Sequence, residues 1–333
     1  MINGECLFMK INQILKFTPI LQEKIWGGEK LKTLLGKNSI RSNIGESWEI
    51  SAVKNAVSVV SNGSLAGKTL NELIKEFRDA LLGEAVYKSF GEDFPLLIKF
   101  IDAKEALSIQ VHPNDYLAKK RHASFGKTEM WYVMQADPGA NLIVGFKKDE
   151  SPSSYIKHLE EHRLTEILNM DTVEKGDVYF IPTGRVHAIG AGVLLAEIQQ
   201  TSDITYRVYD WDRKDQNGKV RDLHLEEAMD AIDYTSKESY KTPYHQKENT
   251  STQIVRCPYF TTNIVPVSAA MHIDHSDIDS FVIYICVSGK LKLQFNNEET
   301  ELQMGETILV PACIKKLQII PEEFSELLEV YIA

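Results

Sequence analysis

Short apolar runs separated by glycine, asparagine or proline recur along most of the chain and predict a protein built mainly from β-strands. In the first two thirds, residues 47–53, 94–103, 129–136 and 192–200 have the length and composition of strands. After residue 254 almost every apolar run has strand length: FVIYICV, KLKLQF, TILVPA, KLQII and LLEVYI. The pattern therefore indicates a β-rich fold with a few helical interruptions.

Three stretches replace the strand pattern with helical periodicity. Thr69 and Glu72 form a capping-box pattern. The apolar residues that follow recur at helical spacing: Leu70, Leu73, Ile74, Phe77 and Leu81. A second helix is expected over residues 153–169 and a third over residues 223–232. We expect the first two as helical insertions, at about 65–90 and 153–169, in the N-terminal half.

The polar stretch from residue 236 to residue 253 lacks periodicity and is typical of a linker. We therefore expect a first domain at residues 1–238 that carries both helical insertions, a linker at 239–253 and a second domain at 254–333.

Composition and charge are those of a soluble globular protein with room for two domains: 333 residues, 43% hydrophobic, 25% charged, net charge −10. The negative charge argues against a general nucleic-acid or anionic-membrane surface. No apolar run approaches the roughly 18 residues of a membrane span. The four cysteines form no CxxC pair, which favours a reducing, cytoplasmic location. The chain starts without an apolar leader, and Met9 is an alternative start that would remove only eight residues.

Four side chains with nitrogen or oxygen donors are candidate metal ligands: Gln110, His112, Glu129 and His187. Each lies within or at the end of a predicted strand, so the four converge only if strands enclose a common interior. A set without thiolates suits zinc, iron, nickel or manganese.

An internal echo indicates two related halves. GDVYFIPTGRVH, which ends at His187, has glycine and proline at the same separation as GETILVPACIKK, which ends at Lys316. MWYVM is likewise echoed by VIYIC, which sets Phe281 against Glu129. The C-terminal half is therefore expected to keep the scaffold and to lack metal ligands.

The form G-x5-P-x-G-x2-H, ending at His187, resembles the second cupin motif, and the region from Gln110 to Glu129 resembles a modified first motif. Three longer segments, FPLLIKFIDAKEALSIQVHPND, GKTEMWYV and AEIQQTSDITYRVYDWDR, are similar to type I mannose-6-phosphate isomerases of the shorter bacterial kind. This resemblance covers nearly the whole chain. It implies a mainly β fold of two cupin-like jelly-roll barrels, with helical segments inserted in the N-terminal catalytic half.

The resemblance also implies a zinc-dependent aldose–ketose isomerase that interconverts mannose 6-phosphate and fructose 6-phosphate through a cis-enediol, with one zinc ion per chain. It implies His112, Glu129 and His187 as zinc ligands, with Gln110 as the ligand that completes the set in some members. The active-site residues that it implies are Arg207, Lys127, Glu197 and Asp203, the two acids having been considered for proton transfer.

Several assignments stay open on the residues themselves. The base is Glu197, Asp203 or a zinc-bound hydroxide. Ser108 and Arg185 are candidates for binding the phosphate of a phosphosugar substrate. The oligomeric state is expected to be a monomer or a homodimer. Simpler roles are expected elsewhere: core or pocket wall for Trp26 and Trp48, and loop or strand edge for His272 and His275.

Two other functions compete with the isomerase. Two histidines and one carboxylate also form the iron site of some cupin oxygenases. A cupin that only binds sugar is the other alternative. Arg207 and Lys127 favour a phosphosugar enzyme, since neither has an obvious role in an oxygenase. An isomerase for a different phosphosugar is the alternative nearest to the main hypothesis.

Overall fold

A computed structural model describes residues 11–214 and 218–333 and confirms the mainly β fold. The strands are β1 (Leu15–Lys16), β2 (Ile20–Gly28), β3 (Ile44–Ile50), β4 (Ala52–Val53), β5 (Ala56–Val57), β6 (Leu96–Ala103), β7 (Ile109–Val111), β8 (Glu129–Ala136), β9 (Asn141–Phe146), β10 (Leu168–Thr172), β11 (Val178–Ile181), β12 (His187–Ile189), β13 (Val193–Gln200), β14 (Tyr206–Tyr209), β15 (Thr252–Arg256), β16 (Thr261–Val267), β17 (Met271–Asp274), β18 (Val282–Ser288), β19 (Lys290–Phe295), β20 (Glu298–Gln303), β21 (Thr307–Val310), β22 (Lys316–Pro321) and β23 (Ser325–Tyr331).

The α-helices are short: α1 (Lys30–Thr33), α2 (Leu70–Phe77), α3 (Asp79–Leu82), α4 (Glu84–Phe90), α5 (Asp115–His122), α6 (Pro152–Glu160), α7 (Leu164–Ile167) and α8 (Leu225–Ala231). The helix expected over residues 153–169 is therefore two helices. Between them His162 has a positive φ of 56°, which an α-helix does not accommodate. Within the described part of the chain, no helix combines the length and the apolar character needed to cross a bilayer.

The chain divides into two compact units. The first unit comprises Pro19–Glu49 and Leu96–Pro243. It contains a five-stranded sheet, β10-β9-β12-β7-β14, and most of a six-stranded sheet, β11-β8-β13-β6-β2-β3. Side chains of both sheets share one apolar core, for example Val144 with Trp131 and Leu195. Two sheets that face each other across a common core are the architecture of a jelly roll.

The second unit comprises residues 11–18, Ile50–Pro95 and Tyr244–Ala333. Its sheets have the orders β1-β21-β18-β23-β16-β15 and β17-β22-β19-β20, and they too enclose a shared core. The repetition of a double sheet agrees with the expected second cupin-like domain.

Helices α2 to α4 belong to the second unit, whereas the sequence assigned this region to the catalytic half. α2 begins with the expected capping box at Thr69 and Glu72. The backbone N–H of Phe281 donates to the carbonyl of Leu82 at 3.1 Å. Asp279 accepts hydrogen bonds from the first two N–H groups of α4, at 2.8 and 2.9 Å. These bonds join the helices to the C-terminal sheets, whereas the domain boundaries expected from the sequence stay a prediction.

The expected linker also packs more closely than its polar composition indicated. Tyr240 is buried, and its hydroxyl donates to the carbonyl of Phe146 at 2.9 Å. The division between the units falls after Pro243, so residues 239–243 belong to the first unit.

The strand register shows which residues of the two units are equivalent, and it shifts the equivalence expected from the sequence echo by one residue. Glu129 pairs with Ile181, the residue before Pro182. At the equivalent place Val282 pairs with Val310, the residue before Pro311. Val282, and not Phe281, therefore occupies the position of Glu129.

Candidate metal centre and active site

Strand pairing in the first unit arranges the predicted site residues in two rows. In the five-stranded sheet, Gln110 of β7 lies opposite both His187 and Arg207. In the six-stranded sheet, Glu197 of β13 lies opposite both Trp131 and Lys99. Directly opposed residues point to the same face of a sheet, so each row presents its side chains together.

Three of the predicted ligands converge in the interior. Nε2 of His112 and Nε2 of His187 lie 3.5 and 3.4 Å from the two carboxylate oxygens of Glu129. All three side chains are buried, and their candidate ligand atoms lie within 4.8 Å of one another. Three strands, β9, β10 and β11, separate the strand of Glu129 from that of His187 in the sequence, and the fold brings the two side chains together.

The surroundings of the three residues fit a bound cation. Nδ1 of His112 lies 2.9 Å from the carbonyl of Ile204, and Nδ1 of His187 lies 2.8 Å from the carbonyl of Arg185. A proton on each Nδ1 leaves the Nε2 lone pairs free to face Glu129. Oε1 of Glu129 is buried and has no hydrogen-bond partner among the described residues. A divalent cation would bind the lone pairs of the two Nε2 atoms and of Glu129 Oε1 together.

Burial keeps both imidazoles in the neutral form that binds metal. It lowers the pKa of His187 to about 3 and holds the pKa of His112 well below its ordinary value, with help from the charge of Lys127. Burial also raises the pKa of Glu129 to about 7, against the opposing charge of Lys127. A cation at this position would favour the carboxylate of Glu129.

Gln110 lies beside these three residues. Its Nε2 is 3.3 Å from Nε2 of His187, and its Oε1 is 3.3 Å from the hydroxyl of Ser108. The structure therefore brings all four predicted ligands together, while a ligand role for the Gln110 amide stays a prediction.

Lys127 reaches the same centre. Its buried ammonium lies 3.1 Å from Nε2 of His112 and forms a short ion pair with Glu129. The negative charges of Glu129 and Glu197 oppose the cost of its burial and raise the pKa of Lys127. An ammonium so placed competes with a metal ion for the same electron pairs.

Glu197 is the second buried carboxylate. Nε1 of Trp131 donates to its Oε1 at 2.9 Å, and Nζ of Lys99 lies 3.3 Å from its Oε2. Burial alone disfavours the charged form. Lys127 and Lys99, with the Trp131 hydrogen bond, outweigh that effect and lower the pKa of Glu197 to about 2. Glu197 is therefore a carboxylate at neutral pH.

A cavity of about 290 Å³ opens onto this centre. Its charged lining comprises Lys24, Glu46, Lys99, Lys127, Glu197, Asp203, Arg207 and Arg221. The neutral His187 and three tryptophans, Trp26, Trp48 and Trp131, also line it. Arg207 is half-buried; its NH1 donates to the carbonyl of Asp222 at 2.8 Å. Its Nε is buried without a hydrogen-bond partner in the described chain. Asp203 lines the cavity but is exposed.

The two predicted phosphate-binding residues differ in position. Ser108 is buried and lines the cavity. Arg185 does not, because its guanidinium packs over the ring of Tyr240 at 5.0 Å and its NH1 faces the carbonyl of Phe180. The structure therefore removes the support for Arg185 as a substrate-binding residue.

Sequence reasoning missed one wall of the cavity. Oε2 of Glu46 accepts from Nε1 of Trp48 at 2.7 Å, and Lys24 lies 3.3 Å from its Oε1. Trp26 and Trp48 are confirmed as buried pocket-wall residues. Glu46, Trp48 and Ile50 are alternate residues of β3 and therefore lie on one face of that strand, which was the signal that the sequence offered. The signal was missed because β3 is far in sequence from the motifs that indicated the site.

The double sheets and the buried His/Glu/His centre define a protein of the cupin class with a candidate metal site. The chain matches two families: phosphomannose isomerase type I, catalytic domain, over residues 14–137, and mannose-6-phosphate isomerase, cupin domain, over residues 250–322. The chain belongs to the type I mannose-6-phosphate isomerase family.

Individual relatives extend over almost the entire length. Mannose-6-phosphate isomerase of Streptococcus mutans is 36% identical over 303 residues, which cover 90% of this chain and 92% of that protein. Mannose-6-phosphate isomerase ManA of Bacillus subtilis is 34% identical, with coverage of 89% and 92%. The crystal structure of mannose 6-phosphate isomerase from Bacillus subtilis superposes with a TM-score of 0.87 at 32% identity, covering 96% of this chain and 99% of that chain.

Proposed function

We propose that the protein is a zinc-dependent aldose–ketose isomerase that interconverts mannose 6-phosphate and fructose 6-phosphate through a cis-enediol. The observation that carries the proposal is the convergence of His112, Glu129 and His187 beside a cavity that is lined by His187 and by several lysine and arginine side chains. The family relationship supports the substrate. The free cysteines of the described chain support a cytoplasmic location. The proposed oligomeric state is a monomer or a homodimer.

His112, Glu129 and His187 would hold one zinc ion per chain, with Gln110 as a weaker fourth ligand. Three firm ligands and a neutral amide suit a catalytic site, which needs an exchangeable position. When bound, zinc supplies Lewis-acid stabilisation of the negative charge that develops on the sugar oxygens.

Glu197 is the proposed group for moving the proton between C1 and C2. It is ionised and buried, and it is held by Trp131 and Lys99. Asp203 lines the same cavity but is exposed, so solvent competes for its carboxylate. A catalytic base needs a fixed position relative to the carbon that it deprotonates, which favours Glu197.

Basic side chains around the cavity suit a substrate that carries a phosphate and becomes an enediolate. Arg207 has a free buried Nε, and its planar guanidinium can donate to two oxygens. Lys127 lines the cavity beside Glu129, so its ammonium would face the reacting oxygens of a bound substrate. Ser108 would orient Gln110 or bind a substrate oxygen.

A coupled assay of mannose 6-phosphate conversion tests this function. Dialysis against a chelator should abolish the activity, and stoichiometric zinc should restore it. Full activity in metal-free protein would refute the zinc mechanism. Oxygen uptake without isomerisation would indicate a cupin oxygenase. Failure to exchange the C2 proton of the sugar phosphate in deuterated buffer would indicate a protein that only binds sugar.

A further inference from the structure

We propose that Trp131 is a positioning residue that fixes the carboxylate of Glu197 for proton transfer through its indole N–H. This inference rests on the proposed isomerase function and assigns a role to a side chain beyond the ligands and the charged residues. Trp131 is buried and lines the cavity beside Glu197.

The two oxygens of Glu197 have different partners. Nε1 of Trp131 donates to Oε1 at 2.9 Å. Lys99 lies 3.3 Å from Oε2, but Oε2 makes no hydrogen bond of adequate geometry within residues 11–214 and 218–333. Lys99 therefore stabilises the negative charge of Glu197, whereas Trp131 fixes the orientation of its carboxylate. A hydrogen bond depends on angle, and a charge attraction does not.

Trp131 itself cannot turn freely, because it is fixed on two sides. The strand register places it directly opposite Glu197 on β13 and opposite Tyr179 on β11. Its ring meets the imidazole of His187 edge-on, with 5.3 Å between ring centroids. The position of the indole N–H, and with it that of the Glu197 carboxylate, is thus set by the same packing that holds a candidate ligand.

The second unit repeats this aromatic–carboxylate pair at the equivalent register. Tyr284 lies opposite Glu329, and its hydroxyl donates to Oε1 of Glu329 at 2.7 Å. The third strand of that row contributes Asn263, where the first unit has Lys99. Two independent copies of the strand arrangement therefore hold a buried glutamate through an aromatic donor, and only the first copy places the carboxylate in the cavity.

The test compares W131F, W131Y and wild type in the zinc-loaded protein. W131F keeps an aromatic ring but loses the hydrogen bond from Nε1 of Trp131 to Oε1 of Glu197, so kcat should fall about 10- to 100-fold with little change in KM. W131Y keeps a donor of the kind that the second unit uses and should recover most of the loss. Zinc content should equal that of wild type in both variants.

A double-variant measurement separates positioning from general damage. If Trp131 acts through Glu197, the variant W131F/E197Q should be no slower than E197Q alone. Full additivity of the two losses would overturn the proposal, because Trp131 would then act by another route.

Y284F is the matched control. It removes the corresponding donor to Glu329 in the second unit and should leave kcat unchanged while destabilising the protein as W131F does. Equal losses of kcat in Y284F and W131F would show that the pair is merely structural. If W131F does not fold, W131M provides a flexible side chain without a donor for the same comparison.

The outcomes distinguish this inference from the proposed function. Wild-type protein without isomerase activity would refute the proposed function. Active wild type together with a W131F variant of wild-type kcat would refute only the positioning role.

Discussion

Replacing Lys99 with methionine should destabilise the first unit strongly, although Lys99 forms a single ion pair among the described residues. Its ammonium lies 3.3 Å from Glu197, and the two side chains are 6% and 4% exposed. The substitution keeps the aliphatic stem and leaves the Glu197 charge buried. Breaking a buried pair from one side typically costs about 3–5 kcal/mol. The remaining Trp131 hydrogen bond and the charge of Lys127 offset part of this, so we expect a loss of about 3 kcal/mol.

Tryptophan fluorescence during urea denaturation measures this loss, because all four tryptophans of the chain lie in the first unit. K241M is the control in the same unit. Lys241 approaches Asp177 more closely, at 2.7 Å, but its side chain is 42% exposed. Asp177 is only 10% exposed, but it also accepts a hydrogen bond from the backbone N–H of Glu174 at 3.0 Å. Because water solvates the Lys241 ammonium, we expect this pair to contribute nearer the ~0–1 kcal/mol of exposed pairs, about 1 kcal/mol. A loss below about 1 kcal/mol in K99M, or equal losses in both variants, would refute the reasoning from burial.

Two further predictions concern the cavity and the second unit. R207A should lower kcat/KM at least about tenfold in the coupled assay with little change in melting temperature, because Nε of Arg207 has no partner in the described chain and can donate to a substrate oxygen. Replacement of the exposed Arg163 in R163A is the control. Burial disfavours the Glu329 carboxylate, but hydrogen bonds lower its pKa from 4.5 to about 2. Its stabilisation is therefore complete above pH 4.5 and is lost as the pH falls towards 2. The stability advantage of wild type over E329Q, measured by calorimetry, should shrink across that range; a constant advantage would contradict it.

The candidate ligands could be predicted because a short motif records local geometry. His187 begins a strand five residues after a proline, and Glu129 begins another, so each position is fixed by neighbours in sequence. The capping box at Thr69 is local in the same sense and is confirmed. Features that depend on a few adjacent residues survive tertiary packing, and most of the helices and strands belong to this group.

The register of the strands and the face to which each side chain points could not be predicted from the sequence. The strand β18 is buried on both faces for almost its whole length, so its sequence lacks the alternation that would fix which residue faces the core. The echo therefore placed Phe281, in place of Val282, against Glu129. His275 lies in the loop after β17, as expected, but the sequence did not indicate that it is buried, 4% exposed and 3.0 Å from the hydroxyl of Tyr284.

Arg185 and Glu46 show how tertiary packing decides which residues reach a cavity. Arg185 belongs to the motif of His187, but its side chain packs over Tyr240, which lies more than fifty residues away in sequence. Glu46 belongs to no motif and enters the cavity because β3 joins the six-stranded sheet beside β6. Membership of a motif thus indicates proximity of the backbone and leaves the direction of the side chain open.

The two units show which exchanges separate a reactive interior from an inert one. At positions related by register, the first unit has Glu129 and Lys99 where the second has Val282 and Asn263, and the sequence echo sets Lys316 against His187. Lys316 is exposed and pairs with Asp274, so its charge lies at the surface and not in the interior. Glu329 stays buried but is satisfied by neutral donors. A buried carboxylate is therefore compatible with this fold without catalysis, and reactivity requires the additional buried cations and a cavity through which substrate can reach them.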